Sequence, residues 1–314
     1  MFPKNTRQTT NSIFMVKPAN FGFNKETAVN NAFQVDDASM TAKEIQDQAM
    51  IEFNAMVEKL RAYEINVLVI EDSPKPVKTD AIFPNNWVTF HTGGYVVTYP
   101  MYSEVRRHER RDDIIKQIGQ SFKINKQYSF DYYEEKGQFL EGTGSMILDR
   151  ANNKIYACLS ERTNIKVLEK FAVLSNYEKI IFHGVDHEGM PIYHTNVIMA
   201  MGQDFVVLCL ECIPDLLEQR ALVKSIEADG KEIIYITFDQ VKSFAGNMLE
   251  LQKPDGTGLT VMSEQAFKSM EPEQIKQINK YSDFMYSPIP TIEKYGGGSV
   301  RCMMAEIFLD PKSI

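Results

Sequence analysis

The chain has only four cysteines among 314 residues, too few to predict a disulfide-stabilised scaffold. It also has no lysine- or arginine-rich block set apart from the rest, and its formal net charge is −8. Nucleic acids and anionic membrane surfaces are therefore not expected as main partners, because both attract proteins through clustered positive charge. No apolar run approaches the ~20 residues that a membrane-spanning helix needs.

The first ten residues are polar and lack the apolar core of a signal peptide. We therefore expect a cytoplasmic location, where cysteines stay reduced. Hydrophobic residues make up 44% of the chain, enough for a sizeable core, and no proline- or serine-rich linker interrupts it. The sequence predicts one domain over residues 1–314 and leaves the oligomeric state open, a homo-oligomer included.

Motifs for cofactors and metals are missing as well. There is no phosphate-binding P-loop, and no G-x-G-x-x-G sequence follows a predicted strand. His187 and Glu188 begin like a zinc-protease motif, but Pro191 stands where the second histidine belongs. Cys209 and Cys212 have the C-x-x-C spacing without a second ligand pair, so their role stays open. We expect neither a metal nor a cofactor.

What the sequence does contain is a regular alternation of strands and helices. Thr41 and Glu44 form a capping-box signature that opens a helix to about Arg61. Four predicted hairpins have strands at 82–90 and 95–99, 145–148 and 155–159, 197–201 and 205–209, and 248–251 and 259–262. Further helices are predicted at about 110–120, 164–174, 214–228 and 273–279. The spacing of about 60 residues fits a repeated β-β-α-β unit. The basic cluster Arg106–Arg111 is interpreted as a solvated helix start.

Cys302 follows three consecutive glycines, Gly296–Gly298, with Arg301 directly before it. Glycine permits positive φ and close approach of the backbone to a ligand. A cysteine acts as a nucleophile in its thiolate form, which a nearby cation favours. The pattern therefore indicates a reactive thiol that is accessible to a ligand. Without such a loop, a cysteine is more often a small, buried hydrophobic residue.

Two more segments supply groups for such a site. His194 stands where a loop enters a predicted strand, and histidine is the usual group for moving protons near neutral pH. Glu141 precedes Gly142 and Gly144, so a carboxylate there could approach and orient the histidine. Convergence of Cys302, His194 and Glu141 on one pocket is the hypothesis on which the enzymatic interpretation depends.

Together these segments resemble the guanidino-group-modifying enzymes of the pentein superfamily, which include arginine deiminases, dimethylarginine dimethylaminohydrolases and amidinotransferases. The start of the chain is similar to a bacterial amidinotransferase-like subgroup that includes citrulline-utilising hydrolases. The matching pieces occur in the family's order: Val16–Asn24, Phe83–Trp87, Leu140–Gly142, Ser160–Thr163, His194–Asn196, Gly246–Met248 and Gly296–Cys302.

The resemblance implies an α/β fold of the five-bladed propeller type, with the site in its central channel. It implies Cys302 as the nucleophile, His194 as general acid and base, and Glu141 as their acidic partner. Arg162 would bind the carboxylate of an amino-acid substrate, for which its bidentate guanidinium is suited. The Phe83–Trp87 motif adds Phe83, Asn85 and Asn86 as expected substrate-binding residues.

The chain departs from arginine deiminases at Asn86 and Asn196, where those enzymes usually have acids. A carboxylate suits a cationic guanidinium, whereas an amide offers both a donor and an acceptor. An amide thus fits a neutral ureido group, so citrulline is the favoured substrate, while arginine and methylarginine stay possible. The resemblance also allows an amidinotransferase that passes the amidino group to an amine, or a catalytically inactive pentein that only binds.

Overall fold

A computed structural model describes residues 2–3, 7–37 and 39–312. Met1 and residues 4–6, within the segment for which we predicted no signal peptide, lie outside the described residues. The strands β1 to β15 are, in order, Ser12–Lys17, Asn66–Glu71, Val88–His91, Tyr95–Thr98, Lys126–Ser129, Ile147–Asp149, Lys154–Cys158, Glu178–Phe182, Met199–Met201, Phe205–Leu208, Glu232–Tyr235, Leu249–Gln252, Gly258–Ser263, Ser282–Ser287 and Ala305–Glu306. The helices α1 to α10 are Ala42–Ala62, Glu104–Arg107, Asp112–Ser121, Gly142–Ser145, Ile165–Ser175, Leu216–Ala228, Phe238–Lys242, Glu264–Ser269, Pro272–Ile278 and Pro290–Gly296.

The described strands form five three-stranded sheets of one design. In four of them an antiparallel hairpin is followed by a helical crossover and a third strand parallel to the second, as in β3-β4-β5. The fifth sheet joins the two ends of the chain, because β15 pairs antiparallel with β1, which pairs in parallel with β2. The predicted β-β-α-β repeat and the four hairpins are confirmed, and the architecture is that of a five-bladed α/β propeller.

The middle strands are buried on both faces. Every residue of β10, Phe205–Leu208, is at most 1% exposed. A strand that is buried on both faces consists mostly of consecutive apolar residues, because neither face contacts water. Because of this burial, the strands of the hairpins appear in the sequence as apolar runs, and the hairpins can be predicted from them.

Local sequence signals also determine where several helices begin. The capping box at Thr41 and Glu44 is confirmed, with both reciprocal hydrogen bonds present. The predicted start of α6 at Pro214 is wrong by two residues: Asp215 is the N-cap and accepts hydrogen bonds from the N–H groups of Leu217 and Glu218. The aspartate carboxylate satisfies the free helix N–H groups, so the helix begins after it.

One helix start depends on a distant residue. The side chain of Glu52, on α1, is buried and accepts hydrogen bonds from the backbone N–H groups of Thr291 and Ile292, at 3.1 Å each. These N–H groups lie in the first turn of α10, which has no side-chain cap of its own. Glu52 therefore stabilises the helix that leads into the glycine loop and Cys302.

We expect Glu52→Ala to lower the free energy of unfolding by about 2 kcal/mol, because it leaves two buried N–H groups without an acceptor. Thermal and denaturant unfolding would measure the change. The control is Glu58→Ala, at an exposed position of the same helix, with an expected change within about 0.5 kcal/mol. Equal stability of the two variants would show that the remote cap contributes nothing.

Candidate active site

Segments that connect different sheets meet at one small cavity. Its lining comprises Thr27, Asn31, Asp80, Phe83, Asn86, Arg106, Arg162, Tyr193, His194, Gly296, Gly297, Gly298 and Cys302. The cavity measures about 20 Å³, room for about one water molecule. An amino acid is larger than this volume. Three of the predicted substrate residues, Phe83, Asn86 and Arg162, contribute to the lining.

Cys302 reaches this cavity on a turn that follows α10. Its backbone N–H donates to the carbonyl of Ser299, 3.0 Å away, and the residue is 6% exposed. Of the three glycines before it only Gly297 has positive φ, at +61°. A side chain at Gly296 or Gly298 would collide with the ring of Phe83, at 2.8 and 2.9 Å. The glycines therefore let the loop pack closely against Phe83 where it lines the cavity.

The guanidinium of Arg301 is not directed at the Cys302 cavity. Nη2 donates to Glu306 at 2.7 Å and Nη1 to the carbonyl of Met304 at 3.0 Å. The side chain lines a second small cavity with Gln8 and Glu306. The sequence-based suggestion that Arg301 is the cation beside the thiol is wrong, because adjacent side chains diverge along the backbone.

Glu141 and His194, 53 residues apart, form a buried hydrogen bond. Glu141 Oε2 lies 2.8 Å from His194 Nε2, and both residues are at most 3% exposed. The other oxygen of Glu141 accepts the backbone N–H of Tyr102 at 2.9 Å. Two guanidinium groups stand nearby, with Arg162 Nη1 at 3.8 Å and Arg106 Nη1 at 3.9 Å from Oε2. The site thus contains a carboxylate and an imidazole in direct contact.

The electrostatics make Glu141 an anion and His194 neutral near neutral pH. Burial raises the pKa of Glu141, but the bond from His194 and the charges of Arg162 and Arg106 outweigh it, and the pKa falls to about 2. Burial lowers the pKa of His194 to about 4, although the bond to Glu141 acts in the opposite direction. An ionised carboxylate only accepts, so the imidazole proton lies on Nε2. Nδ1 has no hydrogen-bond partner among the described residues and can accept a proton.

Gly144 allows His194 and Asn86 to approach each other. A Cβ built at Gly144 would lie 2.4 Å from Asn86 Nδ2 and 2.8 Å from His194 Nδ1. Any side chain there would displace one of these groups. Both polar groups can therefore pack against α4 only because this position carries a glycine.

Arg106 orients Asn86. Its Nη1 donates to Asn86 Oδ1 at 2.9 Å, while Nε and Nη2 donate to Glu109 at 2.9 Å. The residue is 3% exposed, so the interpretation of the basic cluster as solvated is wrong for Arg106. Its acceptors lie at positions 86 and 83 as well as at Glu109, just after its own helix, which local charge patterning could not reveal. Asn86 Nδ2 is left buried and without a hydrogen-bond partner.

Two asparagines contact the sulfur. Asn196 Nδ2 lies 3.5 Å and Asn247 Nδ2 lies 3.3 Å from Cys302 Sγ. Asn196 Oδ1 is buried and has no hydrogen-bond partner. Asn247 belongs to a family-like piece of the sequence, but we assigned it no role from the sequence. Asn85 is placed differently: its amide contacts Thr143, and the residue does not line the cavity.

The segment 21–37 covers the cavity and binds its arginine. Arg162 Nε donates to Asn30 Oδ1 at 2.9 Å, and Nη2 donates to Asn30 and to the carbonyl of Thr27. Its guanidinium lies 4.8 Å from the ring centre of Tyr193. Arg162 is 2% exposed, so its charge is buried.

Asp80 is a cavity residue that the sequence reasoning missed. Its Oδ2 accepts from Asn24 at 2.8 Å, and Oδ1 is buried without a hydrogen-bond partner. Burial raises its pKa, although Arg106 is nearby. Its position six residues before Asn86 is the only sequence signal that could have drawn attention to it.

The described residues contain no group of three or more histidine, cysteine or acidic side chains arranged to hold a metal ion. Within the same residues no helix is long and apolar enough to cross a membrane. All four cysteines are free and buried.

Comparison with known proteins identifies the family and the fold. The sequence model for N,N dimethylarginine dimethylhydrolase, eukaryotic, matches residues 17–309. No functionally curated protein sequence matches the chain significantly. ArgZ, an arginine dihydrolase from the ornithine–ammonia cycle in cyanobacteria, has a similar structure at 14% identity with a TM-score of 0.74, covering 96% of this chain and 41% of ArgZ.

The N-terminal domain of ArgZ matches at 15% identity and a TM-score of 0.73, covering 95% of this chain and 99% of the domain. A dimethylarginine dimethylaminohydrolase matches at 13% identity and a TM-score of 0.63, covering 95% of this chain and 100% of that one. The chain thus spans about two fifths of full-length ArgZ and nearly all of its N-terminal domain. These likenesses establish the fold.

The depressed pKa of His194 gives a prediction for titration. We expect ¹⁵N NMR to show a neutral imidazole protonated on Nε2 above pH 5, with a midpoint near 4. Because this value lies below the ordinary 6.5, His194 favours the folded state above pH 6.5, and this contribution is lost as the pH falls from 6.5 towards 4. His194→Gln assigns the signals and should show a weaker loss of stability over that window. A midpoint at 6.5 or higher would contradict the described environment.

Proposed function

Because this chain belongs to the N,N dimethylarginine dimethylhydrolase family of the pentein superfamily, a family of guanidino-modifying hydrolases, we propose that it hydrolyses a carbon–nitrogen bond of a ureido or guanidino amino acid, with Cys302 as nucleophile. The observation that carries this proposal is that Cys302 and His194 line one cavity while Glu141 holds His194. Among the structurally similar proteins are a variant of AgrE in a complex with L-arginine and a variant of the ArgZ N-terminal domain covalently bound to a reaction intermediate.

The reaction proceeds in two steps through a covalent intermediate. The Cys302 thiolate attacks the carbon that lies between the substrate nitrogens and forms a tetrahedral adduct. His194 Nδ1, which takes the thiol proton when Cys302 ionises, passes that proton to the departing nitrogen; the carbon–nitrogen bond breaks, and a thioester-like adduct stays on the sulfur. Water then attacks this adduct, His194 takes the proton of the water, and the thiolate leaves. Glu141 stabilises the imidazolium whenever His194 carries the extra proton.

Two asparagines favour a ureido substrate. Arg106 has only donors, so Asn86 turns its oxygen towards Arg106 and presents its N–H groups. A ureido oxygen can accept such a hydrogen bond, whereas a guanidinium has only N–H groups and would leave Asn86 Nδ2 unpaired. Asn196 Oδ1 provides the complementary acceptor for a substrate N–H group. Citrulline fits this pair, with ornithine and carbamate as its products.

Charged residues at the other side of the cavity would recognise the amino-acid end of the substrate. Arg162 now donates to Asn30 and Thr27, and a substrate carboxylate would replace Asn30 when the covering segment moves. The unpaired Oδ1 of Asp80 would accept an ammonium group. Both contacts would compensate buried charges that have incomplete partners in the closed cavity.

Product analysis with citrulline, arginine, methylated arginines and agmatine tests the proposal. We expect ornithine from citrulline, and a loss of at least about 1,000-fold in kcat for Cys302→Ser, because a neutral hydroxyl is a far weaker nucleophile than a thiolate. Cys158→Ser is the matched control, since Cys158 is buried elsewhere and should leave the turnover intact.

Absence of any turnover would contradict the hydrolase, and activity on arginine alone would defeat the preference for a ureido group. Arginine offered together with glycine distinguishes the amidinotransferase, which would form a new guanidino compound.

Asn86→Asp should reverse the substrate preference. A carboxylate at this position would pair with a guanidinium and oppose a ureido oxygen, so the ratio of kcat/KM for arginine to that for citrulline should rise about 10- to 100-fold. Asn86→Ala removes the amide without adding charge, and we expect it to lower both values without reversing the ratio. An unchanged ratio in Asn86→Asp would show that Asn86 does not select the substrate.

A further inference from the structure

Two side-chain amides meet the sulfur of Cys302 from one side. The Nδ2 atoms of Asn247 and Asn196 lie 3.3 and 3.5 Å from Sγ, within hydrogen-bond distance for sulfur. Both asparagines are at most 2% exposed. Hydrogen bonds that such buried donors make to a charged sulfur are stronger than in solution, because the local dielectric constant is low.

Neighbouring groups lock the orientation of the Asn247 amide. The backbone N–H of Arg301 donates to Asn247 Oδ1 at 3.1 Å, and Asn247 Nδ2 donates to the carbonyl of Asn196 at 3.0 Å. A backbone N–H can only donate and a carbonyl can only accept, so the amide cannot be reversed without losing both bonds. The N–H side of Asn247 is therefore held towards the sulfur in every protonation state of Cys302.

The other charged groups of the site are engaged elsewhere. The guanidinium of Arg301 pairs with Glu306, and that of Arg106 pairs with Glu109. His194 directs its Nε2 proton to Glu141, and its low pKa leaves it neutral near neutral pH. Among the described residues, the hydrogen-bond donors to Sγ are the amides of Asn196 and Asn247.

We propose that Asn247 is a catalytic residue that stabilises the thiolate of Cys302 by donating a hydrogen bond to it. The inference deepens the proposed function, on which it rests, by naming the group that generates the nucleophile. Asn196 shares the task, but Asn247 is the better defined donor because both ends of its amide are fixed. The thiol form gains less, since its only contact as a donor to Asn247 Oδ1 is long, at 3.8 Å.

The test is a pH titration of thiolate absorbance near 240 nm, taken as the difference between each protein and the same protein carrying Cys302→Ser. Asn247→Ala removes the donor, and its midpoint should rise by about one pH unit. Asn247→Asp keeps an acceptor for the Arg301 N–H but places a carboxylate against the sulfur, so its midpoint should rise further. Asn54→Asp, at an exposed position of α1, controls for the added charge and should leave the midpoint unchanged.

Each outcome of the titration either supports or contradicts the role proposed for Asn247. Unchanged midpoints in both variants would overturn the proposal. So would a rise in Asn247→Ala alone, because that pattern would mean that Asn247 only holds the turn through Arg301. Should Asn247→Asp fail to fold, Asn247→Ser replaces it and should behave like Asn247→Ala. The titration uses no substrate, so a lack of turnover on every amino acid would defeat the proposed function while this result still stood.

Discussion

The buried carboxylate of Glu141 is the constraint on which the rest of the site depends. An ion without partners in the interior is very costly, and here the compensation comes from His194, the Tyr102 N–H and the charges of Arg162 and Arg106. These groups come from separate segments of the chain. The ionised carboxylate therefore joins them into one cluster and determines which nitrogen of His194 carries the proton.

Orientation in this site follows from groups that can only donate or only accept. Arg106 can only donate, so it determines which end of Asn86 faces the cavity. The Arg301 N–H does the same for Asn247. The sequence alone does not show which way a side-chain amide points, since each amide has one end that donates hydrogen bonds and one end that accepts them. Their buried neighbours determine the orientation of each amide. The atoms left unpaired are Nδ2 of Asn86, which can donate to a carbonyl oxygen, and Oδ1 of Asn196, which can accept from an N–H group.

The closed cavity connects substrate binding with the covering segment. Arg162 binds Asn30 and Thr27, and Asn31 donates to the carbonyl of Gly297 in the loop before Cys302. Movement of the segment would release the guanidinium and open the path to the sulfur at the same time. Under the proposed function, a substrate carboxylate would compete with the segment for the same guanidinium, which would link binding and opening through one side chain.

The sequence by itself determined the four hairpins, five of the ten helices among the described residues and the identity of the proposed reacting groups, because hairpin turns, capping boxes and apolar runs act over a few residues. The roles of Arg106 and Arg301 could not be predicted in this way. Arg106 lies in a basic cluster and is nevertheless buried by contacts with positions 83 and 86, whereas Arg301 precedes Cys302 and pairs with Glu306. Only the tertiary structure decided which polar atoms stay unpaired, because hydrogen-bond partners in this site are separated by as many as 266 residues and a free atom is known only once every neighbour is in place.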